Sequence, residues 1–283
     1  MDIAIATCAA FPQLSFWDRG VIDALRDLGV EAAPLIWSDP SAPWERAKCV
    51  VVQSTWDSHL RPAEFLAWAE RVESVTQLHN CSRVLKWNLH KRYLCELQAR
   101  GVRITPTVWL ERGTTVELGT LMRERDWARV VIKPAVSAGA NETYVIDERD
   151  AEAGQEQVQR LAQVHDLMIQ PYLKAFESEG ERAYIFFNGV FSHAVHRPPT
   201  LKSAARAFQE ERAFIPADPA ELDFSHEVIA ALDAPPLYAR VDVATNNDTV
   251  VRLQELELVE PSLFTSLAPG ASARFARAIL AHL

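Results

Sequence analysis

A chain of 283 residues is longer than one hydrophobic core usually spans, and with 48% hydrophobic residues, eight Trp and twelve Phe it carries the apolar material for two or three packed lobes. A formal net charge of −9 excludes the broad basic face that nucleic-acid binding requires, but not a phosphate-bearing small ligand held by a few local Lys and Arg. No apolar run approaches the ~18 residues of a membrane span, and the opening MDIAIATCAAF lacks the basic region and cleavage site of a signal peptide, so no membrane partner and a cytoplasmic location are expected.

In chain order, residues 3–7 have the pattern of a buried strand, followed by a helical segment over 16–28 that stops at Gly29. Residues 32–37 and 49–55 repeat the strand and 62–72 the helix. This βαβαβα rhythm predicts a small open parallel sheet with ligand-facing loops at the strand C-termini. Two of those loops carry polar groups, Thr7-Cys8 and Ser54-Thr55-Trp56-Asp57; they suit substrate contact and equally suit capping of the next helices. Cys8, Cys49, Cys81 and Cys95 show neither a CxxC pairing nor a nearby His pattern and read as reduced, mostly buried small residues.

Residues 87–91 open the next helix, with Asn88 as its N-cap and Gly101 as its stop, and 104–110 are extended. Residues 130–134 form a strand that ends in Lys133-Pro134 and runs through a Ser/Gly loop to a strand at 144–146. Such a loop can place a cation and free backbone N–H groups around polyphosphate, or be an ordinary hairpin connection; it is not a Walker P-loop, since it joins two strands. The strand over 167–173 is interrupted at Pro171, which implies an edge or a hinge with backbone groups open to an adenine ring. Gly180-Glu181 leads into a strand over 182–187, and Asn188-Gly189 turns it into a second over 190–197. Ser192, His193 and His196 form no nucleophile triad by spacing and read as structural. Residues 198–223 show no period and are expected to be a mobile loop.

Residues 237–264 read as two antiparallel strands around a turn at Asn246-Asn247-Asp248. Period two puts Arg240 and Asp242 on one face of the first strand and Glu255 and Glu257 on one face of the second. If those faces coincide, three carboxylates and a guanidinium form a patch suited to Mg²⁺; a solvent-facing, salt-bridged hairpin is the alternative. A last helix is expected over 268–282.

Taken in order, Lys91, Lys133 with its loop, the hinge at 170–173, Gly180-Glu181, and Arg240-x-Asp242 followed by Glu255-x-Glu257 resemble the ATP-grasp superfamily over about residues 80–283, with the preceding lobe in addition. The layout is similar to D-alanine–D-alanine ligase, glutathione synthetase and the ribosomal-protein glutamate ligases. The phrases STWD, WNLHKRYLCEL, FSHAVHRP, LYARVDV and LELVEPSLF look like the cyclo-ligase group that closes O-ureidoserine to cycloserine. The resemblance implies an α/β (α+β) ATP-grasp fold, with a parallel α/β lobe over 1–85, a central lobe over 86–172 and a C-terminal lobe over 173–283.

It also implies ATP and Mg²⁺ as cofactors. Lys91 and Lys133 would contact the phosphates, Ser137-Ala138-Gly139 would close over them, and Gln170, Pro171, Tyr172 and Leu173 would meet the adenine. Glu181 would hold the ribose, with Glu177 as a second candidate, and Asp242, Glu255 and Glu257 would be the metal ligands. Arg240 would steady an acyl phosphate, and Arg197 would supply the cation where a lysine is frequent in the superfamily. Glu257 is a departure, because Asn is common there. Thr7, Ser54, Thr55 and Asp57 are the expected substrate contacts. The implied activity is ATP-dependent activation of a carboxylate for attack by an amine, on a small amino-acid-derived molecule. Cyclisation of O-ureido-D-serine to D-cycloserine is the first candidate and intermolecular amino-acid or dipeptide ligation the second; a non-catalytic nucleotide binder and a kinase are the rival classes. A homo-oligomer, dimer or tetramer, is expected.

Overall fold

The computed structural model describes residues 1–139, 141–174, 180–198, 212–245 and 250–283. All five residues of Ile3–Thr7 (β1) are buried, as a strand covered on both faces must be. After Gly20–Asp27 (α1), the parallel strands Ala32–Ile36 (β2) and Cys49–Val52 (β3) flank β1; Pro62–Glu73 (α2) then leads to Gln77–His79 (β4), giving the order β2-β1-β3-β4. Helix α2 starts on Pro62, which needs no N–H partner there, and buries Phe65, Trp68, Ala69 and Val72 at helical spacing. Helix α1 starts four residues later than the sequence pattern predicts. The cause is Asp18, whose carboxylate accepts the Ser15 hydroxyl (3.0 Å) and the Leu263 amide (3.1 Å), fixing this stretch as turns against the far end of the chain.

The helix expected from residue 88 is instead two helices, Ser82–Leu89 (α3) and Tyr93–Ala99 (α4). Asn88 is therefore no N-cap. His90 takes an extended conformation that breaks the helix, and the Lys91 amide bonds to Ala135 O (2.8 Å), turning the Lys91 side chain inward.

Next comes an antiparallel sheet in the order β5-β8-β6-β7, made of Val108–Leu110 (β5), Arg129–Pro134 (β6), Tyr144–Asp147 (β7) and Leu167–Pro171 (β8). Two helices missed by the sequence reading, Leu118–Glu124 (α5) and Ala151–Ala162 (α6), cover it through Leu118, Leu121, Met122, Val158 and Leu161. Strand β8 is interior rather than an edge; Pro171 is tolerated because it is the last residue of the strand, paired with Val130.

A second antiparallel sheet has the order β11-β10-β9-β12-β13: Glu181–Phe187 (β9), Val190–Arg197 (β10), Ala213–Ile215 (β11), Tyr238–Thr245 (β12) and Val251–Glu257 (β13). Asn188 and Gly189 both take positive φ in the two-residue β9–β10 turn, as such hairpins require. The stretch expected to be irregular contains β11 and the start of Pro219–Ala230 (α7), capped by the Asp218 carboxylate on the amides of Ala220 and Glu221; its residues 199–211 and the turn at 246–248 lie outside the described residues. The final helix is Ala271–Leu280 (α8). Phe275 and Ile279 on α8 join Ile3, Ile5 and Val51 of the first sheet to Phe187 and Tyr238 of the last in one core.

All four cysteines are free thiols, and burial pushes Cys49 up to about 12. No helix among the described residues is long and apolar enough to cross a membrane. His193, on β10, is buried with one ring nitrogen on Leu263 O (2.9 Å) and the other on the Ser192 hydroxyl (2.9 Å), a structural role. Burial holds it at about 4, below its ordinary 6.5. The unfolded chain thus takes up a proton on acidification before the folded one does, and stability is lost as pH falls from about 6.5 towards 4. His193→Gln is expected to remove on the order of 3 kcal/mol of that acid sensitivity, read as the change with pH in the urea-unfolding difference between the two proteins. A pH-independent difference would show that His193 titrates normally.

Candidate active site

The acidic face forms by strand register. Across β12 and β13, Arg240 lies opposite Glu257 and Asp242 opposite Glu255, with a bulge immediately after Asp242. Arg240 forks onto Asp242 through Nε and one Nη (2.8 Å each), pairs with Glu257, and donates its other Nη to Ser262 O (3.3 Å). Arg197, at the end of β10, reaches Asp242 (2.6 Å) and Glu181 (3.2 Å). Gly180 makes that approach possible: its φ is +70° within a few degrees, and any Cβ there would collide with the Arg197 carbonyl oxygen.

Lys91 closes the other flank, with Nζ 2.9 Å from Glu255 and 2.6 Å from Ser137 O. One oxygen from each of Asp242, Glu255 and Glu257 lies within 4.8 Å of the others. Such close acids need compensation. Burial, backed by the charges of Glu255 and Asp242, pushes Glu257 up to about 8 against the pull of Arg240. Glu255, despite burial, is held at about 2 by Lys91 and Lys133. A cluster in which one carboxyl keeps its proton is short of positive charge, and an all-oxygen donor set suits a hard divalent cation.

These groups open onto a cleft of about 450 Å³ whose walls include Lys91, Lys133, Ser137, Gly139, Glu181, Arg197, Arg240, Glu255 and Glu257, together with Gln170, Pro171, Tyr172 and Leu173. Lys133 leaves β6 at the cleft with no ion pair among the described residues, and burial lowers its pKa. Ser137 Oγ bonds to Pro134 O (3.0 Å) and Gly139 takes φ +60°, which shapes the loop between β6 and β7. The Gln170 amide is tied to Thr107 Oγ1 (2.8 Å), and the Tyr172 N–H to Arg129 O (2.9 Å). Glu177 lies outside the described residues.

The expected substrate contacts do not reach this cleft. Thr7 Oγ1 donates to Phe11 O (2.6 Å), Ser54 Oγ accepts the Ser15 amide (2.9 Å), Thr55 is fully buried, and Asp57 is occupied by Trp37 Nε1 (2.7 Å) and Arg61 (2.8 Å). Strands β1 and β3 are so deeply enclosed that the residues just after them are still interior. The N-terminal lobe instead contributes Trp17, Trp56 and His59, and the segment after β13 contributes Glu260. Trp56 and Glu260 stand in the phrases STWD and LELVEPSLF, but nothing local separates Trp56 from its polar neighbours, and strand alternation marks only the carboxylates that precede Glu260.

A cleft between two antiparallel sheets, with Lys133 from one, Lys91 from the segment between α3 and α4, and a carboxylate-bearing hairpin from the other sheet, defines an ATP-grasp ligase. The fold is that of the D-alanine–D-alanine ligase of Bacillus anthracis, also solved with ATP (TM-score 0.67, 13% identity, 99% of this chain and 96% of that one), and of the ATP-grasp ligase PsnB with minimal precursor, Mg and ADP (TM-score 0.65, 16% identity, 99% and 97%). The crystal structure of D-cycloserine synthetase DcsG superimposes with a TM-score of 0.89 at 29% identity, covering 100% of this chain and 99% of that one. In sequence the chain is 31% identical over 297 residues to the cycloserine biosynthesis protein DcsG of Streptomyces lavendulae, with 99% and 98% of the two chains covered. Residues 3–80 match the N-terminal domain of D-cycloserine synthetase DcsG. The chain belongs to the DcsG family.

Lys133→Ala is expected to weaken Mg-ATP binding at least about tenfold, since it deletes a desolvated cation facing the cleft. Calorimetry checks this, and an unchanged affinity would remove Lys133 from the nucleotide site.

Proposed function

We propose that this ATP-dependent ligase closes O-ureido-D-serine to D-cycloserine. The observation that carries the ligase chemistry is the placement of Arg240, fixed by Asp242 and Ser262 O, beside three clustered carboxylates and facing the same cleft as Lys91 and Lys133. Lys91 and Lys133 bind the nucleotide phosphates, Glu181 the ribose, and the wall formed by Gln170, Pro171, Tyr172 and Leu173 the adenine. Asp242, Glu255 and Glu257 would hold Mg²⁺, which when bound offsets the repulsion between phosphates and substrate carboxylate.

The substrate carboxylate takes the γ-phosphoryl group and becomes an acyl phosphate, a far better electrophile, with release of ADP. Arg240 faces the acyl oxygen and stabilises the negative charge that develops there, without reorganising, because its remaining donors are already committed. The ureido nitrogen on oxygen then attacks the acyl carbon. The new C–N bond replaces the C–O bond to phosphate, inorganic phosphate leaves, and that nitrogen gives up its proton. One water removes the carbamoyl group as ammonia and carbon dioxide. No protein nucleophile is required. Attacking nitrogen and activated carbon belong to one molecule, so orientation can supply about 7–11 kcal/mol, and a cleft of about 450 Å³ suits a nucleotide with a small second ligand. Resemblance to DcsG over the whole chain supports the ring-closing reading.

Glu255→Gln and Asp242→Asn should each raise the Mg²⁺ concentration needed for half-maximal turnover at least about tenfold; wild-type turnover at low Mg²⁺ in either would sink the metal assignment. With O-ureido-D-serine and Mg-ATP, mass spectrometry should find cycloserine, with ADP and phosphate released one for one. ADP release from separate amino acids, and none from the ureido compound, would establish intermolecular ligation instead.

A further inference from the structure

Glu260 differs from every other acid around the cleft. Asp242, Glu255, Glu257 and Glu181 each have a lysine or arginine within ion-pair distance. Glu260 has none among the described residues. Its Oε1 accepts the Ser58 hydroxyl (3.0 Å), its backbone carbonyl accepts Trp56 Nε1 (3.0 Å), and its second carboxylate oxygen has no donor among the described residues although the residue lines the cleft. Keeping an acid half-buried without an ion pair is costly, and burial pushes Glu260 up to about 7 against the Ser58 hydrogen bond and the more distant charges of Lys91 and Arg240.

The residue is also held still. Pro261 follows it and keeps it out of the helical conformation, while Trp56 and Ser58 pin it from the N-terminal lobe. Arg240 is anchored on Ser262 O, two residues further along the same segment. This short stretch therefore anchors the Arg240 guanidinium through Ser262 O and itself carries a carboxylate with no ion pair among the described residues, and both residues line the cleft together with Trp17 and Trp56. That is the charge pattern of an α-amino acid turned inside out: the substrate carboxylate belongs with Arg240, and the ammonium one carbon away belongs with a carboxylate.

We infer that Glu260 is the specificity-determining residue for the substrate's α-ammonium group, held in place by Ser58 and Trp56. The inference rests on the reading of the substrate as a small amino acid activated at its carboxylate. It also gives the N-terminal lobe a task other than direct contact through Thr7, Ser54 or Asp57: its loop after β3 sets the position of Glu260.

The test compares wild type with Glu260→Gln, which keeps the shape and an acceptor for Ser58. Each is given O-ureido-D-serine and 3-(ureidooxy)propionate, the analogue with hydrogen in place of the ammonium. ADP release gives kcat/KM, and calorimetry in the presence of Mg-ADP gives the affinity for each compound. The variant should lose at least tenfold in kcat/KM and affinity for the amine-bearing compound and less than twofold for the analogue, with Mg-ATP affinity unchanged. Equal losses for both compounds would make Glu260 a structural part of its loop, and no loss for either would remove it from the site; both overturn the inference. If wild type instead turns over separate amino acids and not O-ureido-D-serine, only ring closure falls, and the same comparison on the accepted amino acid and its desamino counterpart decides the role of Glu260.

Discussion

The site depends on one constraint: carboxylates of β9, β12 and β13 are brought close together away from bulk water, and each arrangement of charge around them must offset their repulsion. The Arg240–Asp242 fork is the centre of that arrangement. Both residues sit on β12, an interior strand flanked by β9 and β13, so their side chains are fixed by a ladder on each side. Register does the rest, because Glu257 and Glu255 fall opposite them and Arg197 approaches from β10. A shift of one residue in either pairing would turn two carboxylates to the other face and leave the guanidinium buried without an anion.

Strand β13 is the edge of its sheet; the Arg103–Thr105 backbone pairs with its Leu253, and further along side chains from the segment that leads out of the first lobe satisfy its open backbone groups. Asn88 donates to Leu256 O (2.8 Å) and accepts from Leu258 N (2.7 Å); Tyr93 Oη accepts the Leu256 amide (2.9 Å). Asn80 does the same for Leu237, Tyr238 and Leu258. Amides, the Tyr93 hydroxyl and the short bridge at Ile104 together cover this edge in place of a full strand. Lys91 lies on the same segment, between Asn88 and Tyr93, so its 2.9 Å pair with Glu255 follows from the docking of its neighbours. Lys91 and Glu255, the proposed phosphate and metal contacts, are thereby fixed relative to one another by the fold itself, a condition for electrostatic stabilisation that costs no rearrangement.

The first lobe plays a different part from the one its loops advertise. Its central strands β1 and β3 are so thoroughly enclosed that Thr7, Ser54 and Thr55 remain interior; the first two hydroxyls hold neighbouring backbone, and the third has no hydrogen-bond partner among the described residues. Its reach to the cleft is through aromatic rings: Trp56 on the Glu260 carbonyl, Trp17 beside Phe264, and His59. Large amphipathic rings can close the end of a pocket while their N–H groups orient a neighbour, which short hydroxyl side chains at the same backbone positions could not do.

Period two in the sequence already placed Arg240 with Asp242 and Glu255 with Glu257, and the strand-terminal position of Lys133 was plain from the apolar run before it. Those are local properties: alternation and a run of β-branched residues fix which way side chains point along a single strand. Helices α5 and α6 do carry apolar residues at helical spacing, Leu118, Leu121 and Met122 on one and Val158, Leu161 and Ala162 on the other, but these stripes are short and set among polar residues, and the sheet beneath gives them their order. Asn88 looked like a cap because Asn favours that position, and only contact with β13, some 170 residues further along, gave its amide a better use. In sequence Glu260 is one more acid in an acid-rich stretch; its distinction comes from Ser58 and Trp56, which hold it, and from the lack of a paired base among the described residues. Which faces meet, which acids are matched by a cation and which hydroxyls remain buried depend on pairings between distant parts of the chain, and no local pattern encodes them because their energy exists only once the lobes have packed.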